Sequence, residues 1–565
     1  MAIRTVDAAL RSLARAWVQD DPDPATRVQL AALLERVGEG DAAAGAELAD
    51  CFAGPLAFGT AGLRGALGAG PNRMNRSVVI RAAAGLTAYL QHDAGEGGTA
   101  ARPGGPFVVV GYDARHNSEV FARDTAAVVV GAGGRAAVLP CPLPTPVLAF
   151  AIRHLEADAG VMVTASHNPA RDNGYKVYLG DGAQIAPPDD TRIAARIAAV
   201  PSVAAVPRAG GGWETLGGDV LDAYLDAVAG VVAADSPRDL AVVHTALHGV
   251  GDDTVRAAFE RAGFAPPRVV PSQARPDPDF PTVPFPNPEE AETMDAALEL
   301  ASRVRPDLVI ATDPDADRCA AAVLDGGRWR MLRGDEVGVL LGAHLIARGV
   351  ARGAVFASSI VSSRLLAAVA GAAGVRHEQT LTGFKWIARV PGLRYGYEEA
   401  LGYCVAPETV RDKDGVSAAL LLAELAATLK ARGRSLLDLL DDLAVAHGVH
   451  ATDSFSVRVS DLGQIPPVME RLRRSPPPGV AGCAVAALDD LSTGDGGLPP
   501  TEGVRLLLAD GSRVIVRPSG TEPKIKVYLE VVMPVTHAAA LPGCRATADR
   551  RLEALRADLQ ALTRP

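Results

Sequence analysis

Aromatic residues make up only 4% of this 565-residue chain, so its cores must be built from Ala, Val and Leu. There is no basic excess. The formal net charge is −10, which excludes the broad positive face that nucleic-acid binding needs. Any anion site must be a local positive pocket on an acidic body. Six cysteines (Cys51, Cys141, Cys319, Cys404, Cys483, Cys544) are scattered without a CxxC pair, which argues against a disulfide scaffold and against a zinc site. No apolar run approaches the roughly 18 residues of a membrane span. The opening MAIRTVDAALRSLARAW has apolar residues at a helical period and lacks a leader's apolar core and cleavage site, so it is expected to be an amphipathic helix. The cytoplasm is the expected compartment, with no nucleic-acid and no membrane partner. Lysine is also scarce, six against fifty arginines. Only Lys430 sits in a plain helix pattern. Lys176, Lys385, Lys413, Lys524 and Lys526 fall in Gly- or Pro-rich polar segments, where a retained lysine is more easily explained by need than by composition.

What is present is an ordinary globular composition, 48% apolar and 22% charged, and a length that predicts about three to five domains. One unit recurs three times: an apolar strand, a polar turn, a helix with a glycine stop and a second short strand. It spans Pro106 to Pro140, Leu240 to Val270 and Gly353 to Thr380. Short βαβ units predict a largely parallel sheet with helices outside. The copies are too far apart for a solenoid, so tandem related α/β domains fit best. Beyond about residue 450 the pattern changes to alternating strands, TDSFSVRVSD, VRLLLADGSRVIVRPSG and KIKVYLEVV, followed by the helix pattern ATADRRLEALRADLQALT. The expected fold is three α/β domains with mixed or parallel sheets plus an α+β domain around a central cleft. Boundaries are placed at 1–50 (helical extension), 51–218, 219–330, 331–450 and 451–565. RAGGGWETLGG and RRSPPPGVAG read as exposed loops.

The strongest chemical signal is DLVIATDPDADRCA, residues 307–320. A strand ends and Asp313, Asp315 and Asp317 follow two residues apart, so three carboxylates can converge on one cation. An all-oxygen donor set favours Mg²⁺ over zinc. An EF-hand is a poor alternative, because its sixth and twelfth positions call for Gly and Glu and here are Arg318 and Leu324. A solvated acidic turn is the plain alternative, but three like charges so close repel. In RVIVRPSGTEPKIKVYLE, Arg517, Ser519, Gly520 and Thr521 form a turn between two strands. It is either a simple hairpin or an anion nest built from an arginine, two hydroxyls and backbone N–H groups. FGTAGLRGALGAGPNRMN centres on Arg64 and has no Walker lysine. LTGFKWIARV presents Lys385 after a glycine, and RYGYEEALGY puts Glu398 and Glu399 in a Gly/Tyr loop, suited to sugar hydroxyls or simply solvated.

Residues 164–178, TASHNPARDNGYKVY, run from an apolar strand into Asn-Pro and Asn-Gly turns. Ser166 lies against His167, yet no G-x-S-x-G elbow is present and no hydrolase triad emerges from spacing. The alternative is a serine that carries a phosphoryl group. A phosphoserine brings charge and strong oxygen acceptors and would complete the three-aspartate site. Phosphoryl transfer is chiefly positioning plus charge neutralisation.

TASHNP, DPDADR, YEEALG and RPSGT, in that order, resemble the four signature loops of the α-D-phosphohexomutases. FGTAGLRG, LTGFKWI and DKDGVSAA are most similar to a phosphoglucomutase-2-like branch. The resemblance implies an isomerase of the phosphoglucomutase/phosphomannomutase type. Ser166 would be the phosphorylated serine, Mg²⁺ would be held by Ser166 (through its phosphate), Asp313, Asp315 and Asp317, and a sugar bisphosphate would act as activator. His167, Lys176 and Arg64 would serve the chemistry, with Lys176 or His167 moving the proton. Arg318, Lys385, Glu398, Glu399, Arg517, Ser519, Gly520 and Thr521 would bind substrate. The expected reaction moves a phosphoryl group between the 1- and 6-positions of a hexose phosphate, glucose before mannose. One departure stands out: the better-known phosphoglucomutases end the sugar loop Glu-Glu-Ser, and here Ala400 replaces the serine. Losing that hydroxyl relaxes discrimination by about 0.5–1.5 kcal/mol, so a pentose 1-/5-phosphate is the alternative substrate. A Mg²⁺ phosphatase would release free phosphate, and a non-catalytic sensor would carry no phosphate on Ser166. The partner is a small sugar phosphate, the chain a monomer or homodimer. Gripping both ends of the sugar in turn suggests a last domain that closes by hinge motion.

Overall fold

The computed structural model describes residues 8–93, 104–459, 461–494, 497–519 and 524–564; Gly520 and Thr521 therefore lie outside the described residues. The chain divides into two compact units, Met1–Met331 with Gly402–Glu424, and Leu332–Leu401 with Leu425–Pro565.

The first unit begins with helices Ala8–Asp20, Pro24–Gly38 and Ala42–Cys51. Asp23 starts the second of these: its carboxylate accepts from the Ala25 N–H, and Pro24 occupies the first turn, where no N–H is missed. Ala14, Leu30, Leu33, Val37 and Leu48 give these helices a core of their own. A six-stranded sheet follows, in the order Leu63–Ala66, Asp172–Leu179, Ala159–Val163, Phe107–Tyr112, Arg135–Val138, Glu214–Thr215. The last four strands are parallel; Asp172–Leu179 is antiparallel to both neighbours. Val108, Val109 and Val110 are all at 0% exposure, as expected of a strand covered on both faces. A second sheet in this unit has the order Arg328–Met331, Cys319–Asp325, Leu308–Thr312, Val242–Thr245, Arg268–Val269. Its βαβ part is parallel and its hairpin part antiparallel.

In the second unit, Val355–Ser359 lies between Arg376–Thr380 and Leu393–Glu398, all parallel. The chain then builds an antiparallel sheet in the order Val449–Arg458, Lys524–Met533, Arg513–Pro518, Val504–Leu508, Cys483–Asp490, Gly479–Val480. Val504, Leu506 and Leu508 alternate inward and meet Leu552, Leu555 and Leu559 of helix Leu541–Leu562 in one core. The architecture is the expected one: βαβ domains with mixed sheets, then an α+β domain.

Several local expectations need correction. Asn173-Gly174 is not a turn, because strand Asp172–Leu179 runs through it. A Cβ at Gly174 would come within 2.6 Å of the Thr164 carbonyl oxygen and 2.9 Å of that of Leu63, so the glycine lets neighbouring backbones close in. The buried Asn173 amide donates to His116 O at 2.8 Å and Ser118 Oγ at 3.0 Å. Lys176, read as part of a polar segment, consequently sits inside a strand. The stretches 208–218 and 473–482 are not wholly loop, since each contains a two-residue edge strand, Glu214–Thr215 and Gly479–Val480. The final helix starts at Leu541, with Pro542 in its first turn. No helix among the described residues is long and apolar enough to cross a membrane.

Candidate active site

The strand Leu308–Thr312 delivers the three aspartates into the loop before Cys319–Asp325. Ala316 takes a left-handed conformation (φ 54°), which curls the loop so that alternate side chains converge. Asp313, Asp315 and Asp317 are at most 1% exposed, and one carboxylate oxygen from each lies within 4.8 Å of the others. Four other stretches of the unit press on this loop. Thr145, at the start of helix Thr145–His154, donates its hydroxyl to Asp315 Oδ2 at 2.5 Å. Lys176 Nζ reaches Asp315 Oδ2 at 2.6 Å and Asp317 Oδ2 at 2.9 Å. Lys413 Nζ lies 3.1 Å from Asp317 Oδ2. Its loop abuts the aspartate loop so closely that a Cβ at Gly415 would be 2.3 Å from the Arg318 carbonyl oxygen. Gly249 packs in the same way against Pro314.

Ser166 follows strand Ala159–Val163 and is 2% exposed. It too is left-handed, with φ 51°. Its hydroxyl donates to Asp313 Oδ2 at 2.6 Å, whereas His167 Nδ1 is 3.4 Å away, too long for a firm nucleophile–base pair. The serine's backbone is fixed in two ways. Its N–H donates to Thr164 Oγ1 at 2.9 Å, and that hydroxyl donates to buried Asp113 at 2.6 Å. The Arg115 guanidinium, 1% exposed, donates to the carbonyls of Ser166, Asn168, Pro169 and Asp172 at 2.6, 2.6, 2.9 and 3.1 Å. Arg64 donates to Asn168 Oδ1 at 3.1 Å. Ser166, Asp313, Asp315, Asp317, Lys176, Arg318 and Arg64 thus belong to one site, with His167 at its margin. Sequence reading missed Thr145, Arg115 and Lys413 as parts of it. Only Lys413 had a usable signal, lysine scarcity.

The electrostatics are those of crowded carboxylates. Burial, with the charges of Asp315 and Asp317, pushes the Asp313 carboxyl well above the usual range. Burial also pushes Asp315 up, but Lys176 and Thr145 override it and hold the group far below that range. Burial pulls Lys176 down, and Asp315 and Asp317 more than reverse this. The residues fit a hard cation. The donor set is all oxygen, and Asp315 Oδ1 and Asp317 Oδ1 are buried with no hydrogen-bond partner among the described residues, an arrangement that is costly without a ligand.

The second unit carries Lys385, Glu398, Glu399, Arg517 and Ser519. Glu398 ends strand Leu393–Glu398. Glu399 Oε2 accepts from the Ser359 and Ser362 hydroxyls at 3.0 and 3.1 Å, which anchors this loop to its own domain. Lys385 lies in the short helix Phe384–Ile387, its Nζ 5.9 Å from the Trp386 ring centre. Arg517 is near the end of strand Arg513–Pro518, and the Ser519 N–H donates to Lys524 O at 2.8 Å. Nearby, Asp335 accepts from Ser363 N–H at 2.7 Å and Tyr397 OH at 2.9 Å, and burial pushes its carboxyl up to about 6 from 3.8. Across that window the folded protein holds a proton the unfolded chain has lost, so this group's contribution to stability falls as pH rises. Asp335→Asn, which keeps an acceptor oxygen, is expected to flatten that fall in urea-unfolding curves recorded between these two pH values.

The phosphoglucomutase/phosphomannomutase family matches in four stretches: its alpha/beta/alpha domain I at residues 55–203, domain II at 222–326, domain III at 333–446 and its C-terminal domain at 467–542. A Haemophilus influenzae protein named "Probable phosphomannomutase" is 45% identical over 81% of this chain and 93% of its own length. The human "Phosphopentomutase" is 35% identical over 94% of this chain and 92% of its own. A solved phosphoglucomutase/phosphomannomutase family protein from Burkholderia thailandensis shares the fold. Its TM-score is 0.67 at 21% identity, over 89% of this chain and 97% of that one.

Proposed function

The chain belongs to the α-D-phosphohexomutase family and is a phosphosugar mutase, an intramolecular phosphotransferase; from this we propose that it interconverts the 1- and 6-phosphates of a hexose, glucose or mannose, through a phosphoryl group carried on Ser166. The observation that carries the reading is the Ser166 hydroxyl set 2.6 Å from Asp313 within the three-aspartate cluster. A divalent cation held by Asp313, Asp315 and Asp317 would neutralise charge on phosphoryl oxygens. The protein's own groups do the rest. Arg115 and Thr164 hold the serine backbone so that Oγ is aimed before substrate arrives. Lys176, protonated, supplies positive charge where the transferring group spreads its negative charge.

The transfer balances as follows. A free sugar hydroxyl forms an O–P bond as the serine Oγ–P bond breaks; the hydroxyl proton passes to a base beside it, His167 being the candidate, and the freed Ser166 Oγ takes up a proton. The bisphosphate then returns its other phosphoryl group to Ser166, whose hydroxyl gives up its proton as the Oγ–P bond re-forms, and the freed sugar oxygen takes a proton. Arg517 and Ser519, with Gly520 and Thr521, would grip the phosphate that is not reacting, and Glu398 the sugar hydroxyls; Lys385, Arg318 and Arg64 would line the path. A sugar bisphosphate would act as activator by phosphorylating Ser166 wherever it has been lost.

Ala400 and the likeness to the human phosphopentomutase favour a second reading, a pentose 1-/5-phosphate. A coupled assay with glucose-1-, mannose-1- and ribose-1-phosphate in parallel, primed with trace bisphosphate, is expected to give the highest kcat/KM with a hexose. A preference for ribose would replace the first reading with the second. Free phosphate as the main product would count against both.

A further inference from the structure

In the first unit, a proline-rich segment leaves strand Arg268–Val269 and reaches the serine loop. Its base is tied to the sheet it came from. Buried Gln273 accepts from Thr245 Oγ1 at 2.6 Å and donates to Thr282 Oγ1 at 2.9 Å, and His248 Nε2 lies 2.8 Å from that same Thr282 hydroxyl. The Asp277 N–H donates to His248 O at 2.9 Å. Leu247 and His248 are both left-handed, with φ 50° and 61°. The chain continues into Gly249 and Val250, where the Val250 N–H donates to Pro314 O at 2.8 Å. The segment therefore stands on the turn that supports the aspartate loop.

Its tip rests on the serine loop. Two successive turns, 277–280 and 280–283, meet at Phe280, whose φ of 46° is costly for so bulky a side chain. The residue is nonetheless buried, and its ring lies on Arg115, with the guanidinium carbon 4.9 Å from the ring centre. Each terminal nitrogen of Arg115 donates to two carbonyls, Nη1 to those of Pro169 and Asp172 and Nη2 to those of Ser166 and Asn168. Nε lies 3.4 Å from Asp113 Oδ2. The edge of the guanidinium is thus committed, and the Phe280 ring closes one of its faces. Beside the ring, Asp279 Oδ1 lies 2.8 Å from His116 Nε2, an exposed contact of little energetic weight.

Backbone strain of this kind persists only where the surroundings over-determine it, and what it secures here is an aromatic face on a cation. Four carbonyls drawn to one guanidinium hold the Ser166 turn only while water is kept from competing for the same N–H groups, and such bonds strengthen as the local dielectric falls. A ring laid on the guanidinium both excludes water and attracts the cation. We propose that Phe280 is a positioning residue for phosphoryl transfer: acting through Arg115, its ring holds the Ser166 turn in register with the aspartate loop. The inference rests on the reading of Ser166 as the phosphoryl carrier. A displacement of about 1 Å at a reacting atom can cost about a hundredfold in rate, so the loss expected without the ring is in transfer and not in the grip on the sugar.

The test is Phe280→Leu, which keeps apolar bulk and removes the ring. Phosphorylated enzyme is mixed with the sugar 1-phosphate it turns over fastest, and transfer is followed in a single turnover, with KM and the melting temperature alongside. The variant is expected to slow transfer about tenfold or more while KM stays within about twofold of the parent's. A lowered melting temperature with the parent's transfer rate, or a KM rise as large as the loss of rate, would make the ring a structural or substrate-gripping element and overturn the proposal. Where Phe280→Leu does not fold, mono-, tri- and pentafluorinated phenylalanine placed at position 280 alone decide the matter, because they keep the shape and progressively weaken the ring's negative face. Transfer that slows stepwise along that series upholds the proposal, and a flat series overturns it. Intact mass of the bisphosphate-primed parent separates the two levels. A parent without phosphate on Ser166 removes the carrier reading itself. A phosphorylated parent whose Phe280 variants transfer at its own rate removes only this inference.

Discussion

Ser166→Ala is expected to lower mutase turnover by about four to six orders of magnitude, the scale on which an enzyme loses its covalent carrier. The size of the effect follows from the surroundings. The hydroxyl sits 2.6 Å from Asp313, and the other groups on the cluster are engaged elsewhere: the Thr145 hydroxyl donates to Asp315, and the Lys176 ammonium is paired with Asp315 and Asp317. The backbone that aims Oγ is held by Arg115 and Thr164 through main-chain atoms of the loop, and the alanine variant keeps those bonds. It is therefore expected to fold, and the loss is chemical. Intact-mass measurement of freshly purified protein checks this directly: the parent shows a fraction heavier by one phosphoryl group, and the alanine variant shows none. A variant with alanine at 166 that turned over normally would remove Ser166 from the mechanism.

Ser166 and the three aspartates were legible in the sequence because each signal is local. Three acidic residues two apart after an apolar strand, or a serine where a strand meets Asn-Pro, need no knowledge of the rest of the chain. What supports them was not legible, because the partners come from far along it. Lys413 meets Asp317 across 96 positions of sequence, and Thr145 meets Asp315 across 170. Arg115 reads as one polar residue among several in a turn; only the folded loop shows it bonded to four carbonyls. The βαβ units were legible from hydrophobic period and glycine stops. Asn173-Gly174 misled for a definable reason: the pair is a strong local turn signal, yet tertiary packing used the glycine for close strand approach and the asparagine as a buried donor. Glu398 and Glu399 looked equivalent, and only the Ser359 and Ser362 hydroxyls distinguish the second as an anchor.

Asp313→Asn is expected to separate metal binding from folding. Without a cation, burial and the charges of Asp315 and Asp317 drive the Asp313 carboxyl toward its neutral form, which an asparagine amide resembles in charge and shape. The amide oxygen can still accept from the Arg318 N–H, now 3.1 Å from Asp313 Oδ1, and the NH₂ group can donate to Ser166 Oγ. Chelator-treated parent and variant should therefore differ in stability by less than about 1 kcal/mol. Adding Mg²⁺ should then divide them. A ligand bound only to the folded state stabilises it by about 2.7 kcal/mol at a hundred times its dissociation constant, so the parent's melting temperature should rise with Mg²⁺ while the variant's stays flat. Activity should follow, lost on chelation and restored by Mg²⁺ in the parent, and at least about a hundredfold lower in the variant at any Mg²⁺ concentration. The thermal arm does not depend on turnover. If the parent's melting temperature ignored Mg²⁺ while activity stayed chelator-resistant, the buried oxygens of Asp315 and Asp317 would have to be accounted for by something other than a cation.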